Sequence, residues 1–246
     1  MKRIMLEVAY DGTNYYGWQI QPNEITIESV LNEHLSRLLK EEIKVIGASR
    51  TDSGVHALGN VAVFDTHSSI PGERMSYALN RLLPKDITIQ NSKEVSSDFH
   101  PRYSKSIKTY EYRILNSEFP IPTQRLYSYF VKAPLDIDLM KLGAGYLVGS
   151  HDFKSFCSSK SQVKSTVRTI YGIKIEKKAD LITIRISGNG FLYNMVRIIA
   201  GTLIKVGHGA YSPEKVKEIL EMKDRTIAGP NAPACGLTLV GIQYLG

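Results

Sequence analysis

The feature that most constrains this chain is the way its apolar residues change period along the sequence. Residues 3–10 set Ile4, Leu6, Val8 and Tyr10 on one face at period two, the mark of a half-buried strand. Residues 26–40 then space Ile27, Val30, Leu31, Leu35, Leu38 and Leu39 as one face of a helix, with Thr26 as its N-cap. Short apolar runs at 43–48 and 60–64 follow, then a helix expected from Pro71 to just before Pro84, and a strand at 87–95. After a strand-like stretch to Leu115 and a proline-bearing connection at 116–124, the style repeats. A helix at 136–148 closed by Gly149, strands at 167–176 and 181–187, helices at 191–206 and 213–222, and a last strand at 237–244 are expected. Strands able to pair antiparallel, mixed with helices able to cover one face, predict an α+β fold with two sheet-and-helix lobes, residues 1–102 and 103–246.

Length and charge narrow the function. With 246 residues, 43% of them hydrophobic, the chain can build one large core or two smaller ones. Lys and Arg number 31 against 24 for Asp and Glu, a net +7 that suits a polyanionic partner, since neutralised phosphates release counterions. Charge alone fits an ordinary basic protein equally well. The two cysteines, Cys157 and Cys235, lack zinc-ligand spacing and argue against a disulfide framework, which points to a reducing compartment. No signal-peptide core follows Met1, and the apolar run 198–206 contains Lys205 and is too short to span a bilayer. The expectation is a cytoplasmic protein with no membrane association, metal or cofactor.

Three places could carry chemistry. The polar loop Gly47-Ala-Ser-Arg-Thr-Asp-Ser-Gly-Val-His-Ala57 lies between apolar runs that would hold Arg50 and Asp52 rigidly at a sheet edge. Asp-Ser-Gly is also common turn chemistry. The stretch Phe99, His100, Pro101, Arg102, Tyr103, Lys105, Lys108, Tyr110 and Arg113 interleaves cations with flat rings, which looped RNA requires, although a strand whose aromatics pack on a neighbour has the same spacing. Arg197 sits amid apolar residues in a predicted helix, where a cation needs a carboxylate such as Asp52 or must snorkel to the surface. A Ser-rich loop carrying Lys154, Lys160, Gln162, Lys164 and Arg168 adds a second basic stretch.

Taken in order, these segments resemble the tRNA pseudouridine synthase A family over nearly the whole chain. Arg50-Thr-Asp-Ser-Gly-Val-His-Ala57 resembles the family's Arg-Thr-Asp-Ala-Gly-Val-His-Ala signature. Tyr10-Asp-Gly12 with Tyr15-Tyr-Gly-Trp-Gln19, the stretch from Asp98 to Tyr112, His151-Asp-Phe-Lys-Ser-Phe156, Met195-Val-Arg197, and Ala232-Pro-Ala234 with Gly236-Leu237 fall in the family's order. The resemblance implies a homodimer, with two lobes of RRM- or ferredoxin-like antiparallel sheets flanking a central basic cleft. It implies that Asp52 is the nucleophile, that Tyr110 stacks on the target uracil, and that Arg197 pairs with the aspartate. Arg50 would enter the RNA helix as the base leaves. Phe99, His100, Pro101, Arg102 and Tyr103, with Lys160, Gln162 and Lys164, would contact RNA. The implied substrates are uridines 38, 39 and 40 of the tRNA anticodon stem-loop. Ser49, Ser53 and Asn60 depart from the family's usual glycine, alanine and glutamine, which admits a paralogue acting on another structured RNA.

An ionised carboxylate suits this reaction whether it attacks the sugar, attacks the ring or removes a ribose proton, and a nearby guanidinium would keep it ionised. Two rival readings are a non-catalytic RNA-binding protein of two RRM-like lobes, and a glycoside-type hydrolase using Asp11 with Asp52.

Overall fold

The structure is a computed structural model that describes residues 1–158 and 164–245. In chain order its elements are β1 (Lys2–Tyr10), α1 (Ile27–Leu39), β2 (Ile46–Gly47), β3 (His56–Thr66), α2 (Met75–Leu79), β4 (Ile87–Val95), β5 (Ser106–Leu115) and β6 (Tyr129–Phe130). They continue with α3 (Ile137–Gly145), β7 (Gly149–Asp152), β8 (Val167–Lys178), β9 (Leu181–Gly188), α4 (Met195–Gly207), α5 (Pro213–Met222) and β10 (Leu237–Tyr244). The fold is α+β and divides into two compact units. The first takes Met1–Lys105 together with the chain from Thr238 onward; the second takes Ser106–Leu237.

In the first unit β1 lies between β4 and β3, antiparallel to both. Ile4, Leu6, Val8 and Tyr10 are buried, while Arg3, Met5, Glu7 and Ala9 between them are half-buried, so one face carries the core. The α1 helix presents Ile27, Leu31 and Leu35 at four-residue spacing. It starts where expected because Thr26 and Ser29 form a reciprocal capping box, side chain to backbone in each direction. Two expected elements shrink for visible reasons. Only Ile46–Gly47 of the 43–48 run is strand, because the amides of Ile43 and Val45 donate to side chains of α1, Ser36 and Asn32. The helix after Pro71 becomes a 3-10 turn and the five-residue α2, ended by Asn80, whose amide side chain exchanges two hydrogen bonds with the backbone of Ile89 in β4.

The second unit orders its strands β5, β9, β8, β7, each antiparallel to the next. Ile182, Ile184 and Ile186 of β9 face a core shared with α3, α4 and α5; Thr183, Arg185 and Ser187 face away. The α4 helix begins at Met195, later than the pattern from Phe191 suggests, because Asn194 adopts a left-handed φ of 62° that no helix interior accepts. The α3 helix ends at Gly145, and Gly149, with φ 113°, opens β7 instead of closing the helix. Each sheet also carries one short parallel pairing, β10 on β3 and β6 on β5. The first of these brings the C-terminal strand into the first unit, whereas chain order assigned residues 237–244 to the second half. No described helix is long and apolar enough to cross a membrane.

Candidate active site

The loop between β2 and β3 is a turn laid over a second layer of chain. The Val55 amide donates to the Asp52 carbonyl at 3.2 Å, closing a four-residue turn. Gly54, third in that turn, has φ +75°, a conformation that favours glycine. Successive side chains before the turn alternate: Arg50 is exposed, Thr51 is buried with its hydroxyl 2.7 Å from the Tyr10 phenol oxygen, and Asp52 is half-buried. Beneath lies the N-terminal segment 11–18. Its Trp18 amide donates to the Thr51 carbonyl at 3.0 Å, and the Gly54 amide and Ser53 hydroxyl both donate to the Tyr15 carbonyl at 3.3 Å. Gly17, at φ +84°, comes so close that a Cβ there would sit 2.6 Å from the Thr51 carbonyl oxygen. His56 closes the layer: its Nδ1 lies 3.1 Å from the Gly12 amide and 3.1 Å from an Asp11 carboxylate oxygen. The neutral ring accepts from Gly12 through this nitrogen, and the protonated ring donates through it to Asp11.

The second cluster of expected residues, 99–103, is also in the first unit, and its members divide by direction. The Phe99 ring meets Tyr244 edge-on at 4.9 Å, its carbonyl accepts from Arg3 Nη1 at 3.0 Å, and Pro101 is buried with its carbonyl accepting from the Tyr244 hydroxyl at 2.9 Å. These two residues fasten the segment. His100 stacks on Tyr103 at 4.2 Å, and Arg102 and Tyr103 are exposed, Tyr103 to 82%. The part of the segment able to meet an RNA is therefore His100, Arg102 and Tyr103.

In the second unit Tyr110 lies on the core side of β5, 8% exposed, with its ring edge-to-face on Phe191 at 5.2 Å. Tyr112, two residues on, is fully buried and donates to the Pro233 carbonyl at 2.8 Å; burial pushes its phenol far above the ordinary range. Arg197 is half-buried in the first turn of α4, with Nε donating to the Ala232 carbonyl at 2.7 Å and Nη1 to the Asn194 side chain at 3.1 Å. Sequence reasoning weighed a carboxylate or solvent for this cation and overlooked backbone carbonyls, which leave no compositional trace. Lys164 is exposed; Lys160 and Gln162 lie outside the described residues.

Sequence reasoning also missed what holds the Asp52 loop from below: the Tyr10 phenol, the Thr51 hydroxyl and Asn60, joined only by long-range contacts. Among the described residues no group of three or more His, Cys, Asp or Glu side chains could hold a metal ion. What the loop offers chemically is a carboxylate on a fixed backbone with an exposed guanidinium two residues away.

The family model described as tRNA pseudouridine synthase matches residues 7–104 and 144–245, so Asp52 and Arg197 fall inside the match and Tyr110 outside it. A tRNA pseudouridine synthase A of Thermoanaerobacter sp. (strain X514) is 51% identical over 244 residues, 99% of this chain and all of the relative. One from Ruminiclostridium cellulolyticum is 52% identical over 245 residues, again 99% of this chain and 100% of the relative. A tRNA pseudouridine synthase A 2 of Clostridium perfringens is 50% identical over 244 residues at the same coverage. Among solved structures, one described as the archaeal box H/ACA sRNP Nop10–Cbf5 complex covers 96% of this chain and 46% of its own, at 12% identity and a TM-score of 0.32, too low to equate the folds. On the family match and the full-length relatives, the chain belongs to the tRNA pseudouridine synthase A family and is an isomerase of that class.

Proposed function

We propose that this chain converts uridine to pseudouridine in the tRNA anticodon stem-loop, at positions 38, 39 and 40, with Asp52 as the catalytic carboxylate. The observation that carries the reading is the setting of Asp52. It is a half-exposed carboxylate on a turn whose neighbours are pinned, beside an outward Arg50. The relatives' names, which specify tRNA and pseudouridine, supply the substrate and product.

The reaction breaks the N1–C1′ bond of uridine, turns the base, and joins C5 to the same C1′. The proton on C5 is lost and N1 gains one, so the formula is unchanged and no redox partner or phosphoryl donor is consumed. A stacked uridine must first leave the helix, at on the order of a few kcal/mol. In this reading Arg50 fills the gap left by the base and the Tyr110 ring stacks on the extruded uracil. Arg197 pairs with Asp52 and keeps it ionised as a nucleophile. The groups His100, Arg102 and Tyr103 hold phosphate and unstacked bases, as do Lys160, Gln162 and Lys164. The site lies in a basic cleft between the lobes, and the protein acts as a cytoplasmic homodimer.

The test is incubation with unmodified tRNA transcripts, followed by carbodiimide labelling to map pseudouridine. The proposal expects product at positions 38, 39 and 40 with no free uracil. Product only at other positions overturns the assigned site, released uracil indicates hydrolysis, and tight binding without product indicates a non-catalytic RNA-binding protein.

A further inference from the structure

We infer that Tyr10 and Thr51, backed by Asn60, are positioning residues that fix the direction of the Asp52 carboxylate from inside the first unit. The inference rests on the reading of Asp52 as the catalytic group. Tyr10 ends β1 and is 4% exposed; Asn60, on the adjacent β3, is fully buried; Thr51 immediately precedes Asp52 and is 7% exposed. The two hydroxyls of Tyr10 and Thr51 are 2.7 Å apart. The Asn60 amide nitrogen donates to the Tyr10 phenol at 3.3 Å and to the Ser49 carbonyl at 3.0 Å. Its oxygen accepts from the amides of Ser49 at 3.3 Å and of Val61 at 2.9 Å. Every donor and acceptor position of the Asn60 side chain is used, and three of the four bonds lead to the loop or to the residue that grips it.

Stability alone does not account for this cluster. Phenylalanine and valine would fill the same space at positions 10 and 51, and replacing both partners of a buried hydrogen bond by apolar groups of like shape is nearly neutral for folding. Buried polar groups that fold stability does not require make one arrangement of the chain specific. Here the arrangement is that of Thr51. Its β-branched side chain has few rotamers, and the bond to Tyr10 selects the one that turns it inward. Because successive side chains in this extended segment alternate, an inward Thr51 obliges Arg50 and Asp52 to face outward. Displacement of a reacting group by about 1 Å can lower a rate by about a hundredfold, so even partial loss of this constraint registers in turnover.

The experiment compares the wild-type protein with Y10F/T51V, T51V, T51S and D52N, on an unmodified tRNA transcript under single turnover at saturating protein. Melting temperature and RNA affinity are measured in parallel. The double variant is expected to melt within a few degrees of wild type and to bind RNA within about twofold, yet to react about tenfold more slowly. T51V is expected to be slowed to the same extent, because either change alone removes the bond. T51S keeps the hydroxyl and is expected to recover most of the rate. A saturating rate equal to wild type in Y10F/T51V, or in T51V should the double variant fail to fold, overturns the inference. D52N separates this outcome from failure of the underlying reading. An inactive D52N beside a wild-type rate in the double variant removes only the positioning role, whereas an active D52N removes the catalytic assignment itself.

Discussion

Arg197 and Ala232 hold each other by two reciprocal hydrogen bonds: Nε of Arg197 donates to the Ala232 carbonyl at 2.7 Å, and the Ala232 amide donates to the Arg197 carbonyl at 3.2 Å. With Tyr112 donating to the next carbonyl, that of Pro233, this ties the chain before β10 to the first turn of α4. The guanidinium therefore serves the fold of the second unit directly, and the proposed pairing with Asp52 would come in addition.

Arg197→Met should lose both functions. A charge-assisted bond to a carbonyl disappears, with about 1–3 kcal/mol of stability, which at this chain length lowers Tm by about 2–4 °C for each kcal/mol. Turnover is expected to fall by at least about tenfold if the cation also holds the carboxylate ionised. Thermal melts and steady-state rates measured well below Tm separate the two effects. Unchanged turnover in a folded variant contradicts the pairing.

Ser49 gives a prediction of the opposite sign. Its hydroxyl is buried and finds no hydrogen-bond partner among the described residues. A buried unpaired hydroxyl costs about 1–3 kcal/mol, so Ser49→Ala is expected to raise stability by about 1 kcal/mol and Tm by about 2–4 °C. A lowered Tm would mean that the hydroxyl is bonded after all.

The Arg3–Asp65 cross-strand pair sets an acid limit. Arg3 Nε and Nη2 donate to the two carboxylate oxygens of Asp65 at 2.8 and 2.7 Å. These bonds first, and the guanidinium charge with them, hold the Asp65 carboxyl below its usual range despite partial burial. A folded value below the unfolded one means the stabilisation is whole above about pH 4 and is lost as pH falls through the lowered value. Tm measured from about pH 6 to about pH 2 should therefore decline less steeply at the acid end in Asp65→Asn than in wild type. Equal slopes would show that this pair does not contribute.

Elements whose signals are local were legible in the sequence: α1 with its Thr26 cap, α5 behind Pro213, and β10 all lie where the pattern places them. The misreadings share one cause, a partner far away in the chain. Asn32 and Ser36 take the amides that would have extended β2, and Asn80 spends its side chain on β4. The pairing of β10 with β3 joins residues 56–57 to 238–239, and no local pattern announces it. The candidate site shows the same division. The Asp52 loop, Arg50 and the 99–103 segment stand out as motifs, whereas the Tyr10–Thr51–Asn60 support and the inward turn of Phe99 and Pro101 exist only once the chain is folded.

Arg102 and Tyr103 are the exposed members of the 99–103 segment and should behave as separate kinds of RNA contact. Arg102→Ala is expected to weaken binding to all RNAs alike and to lower the salt slope by about one ion. Tyr103→Ala should weaken affinity by about 1–3 kcal/mol with the salt slope unchanged, as loss of base stacking does. Titrations of fluorescent anticodon stem-loops at several salt concentrations distinguish them. Wild-type affinity in both variants would remove this segment from the RNA surface.

The most direct measurement is pseudouridine formation by Asp52→Asn, a substitution that keeps shape and removes only the charge. The account predicts no pseudouridine in an unmodified tRNA transcript while RNA affinity stays within about tenfold of wild type, since binding and chemistry reside in different groups. Conversion at the wild-type rate, or loss of fold and binding together, would contradict it and leave Asp52 a turn residue.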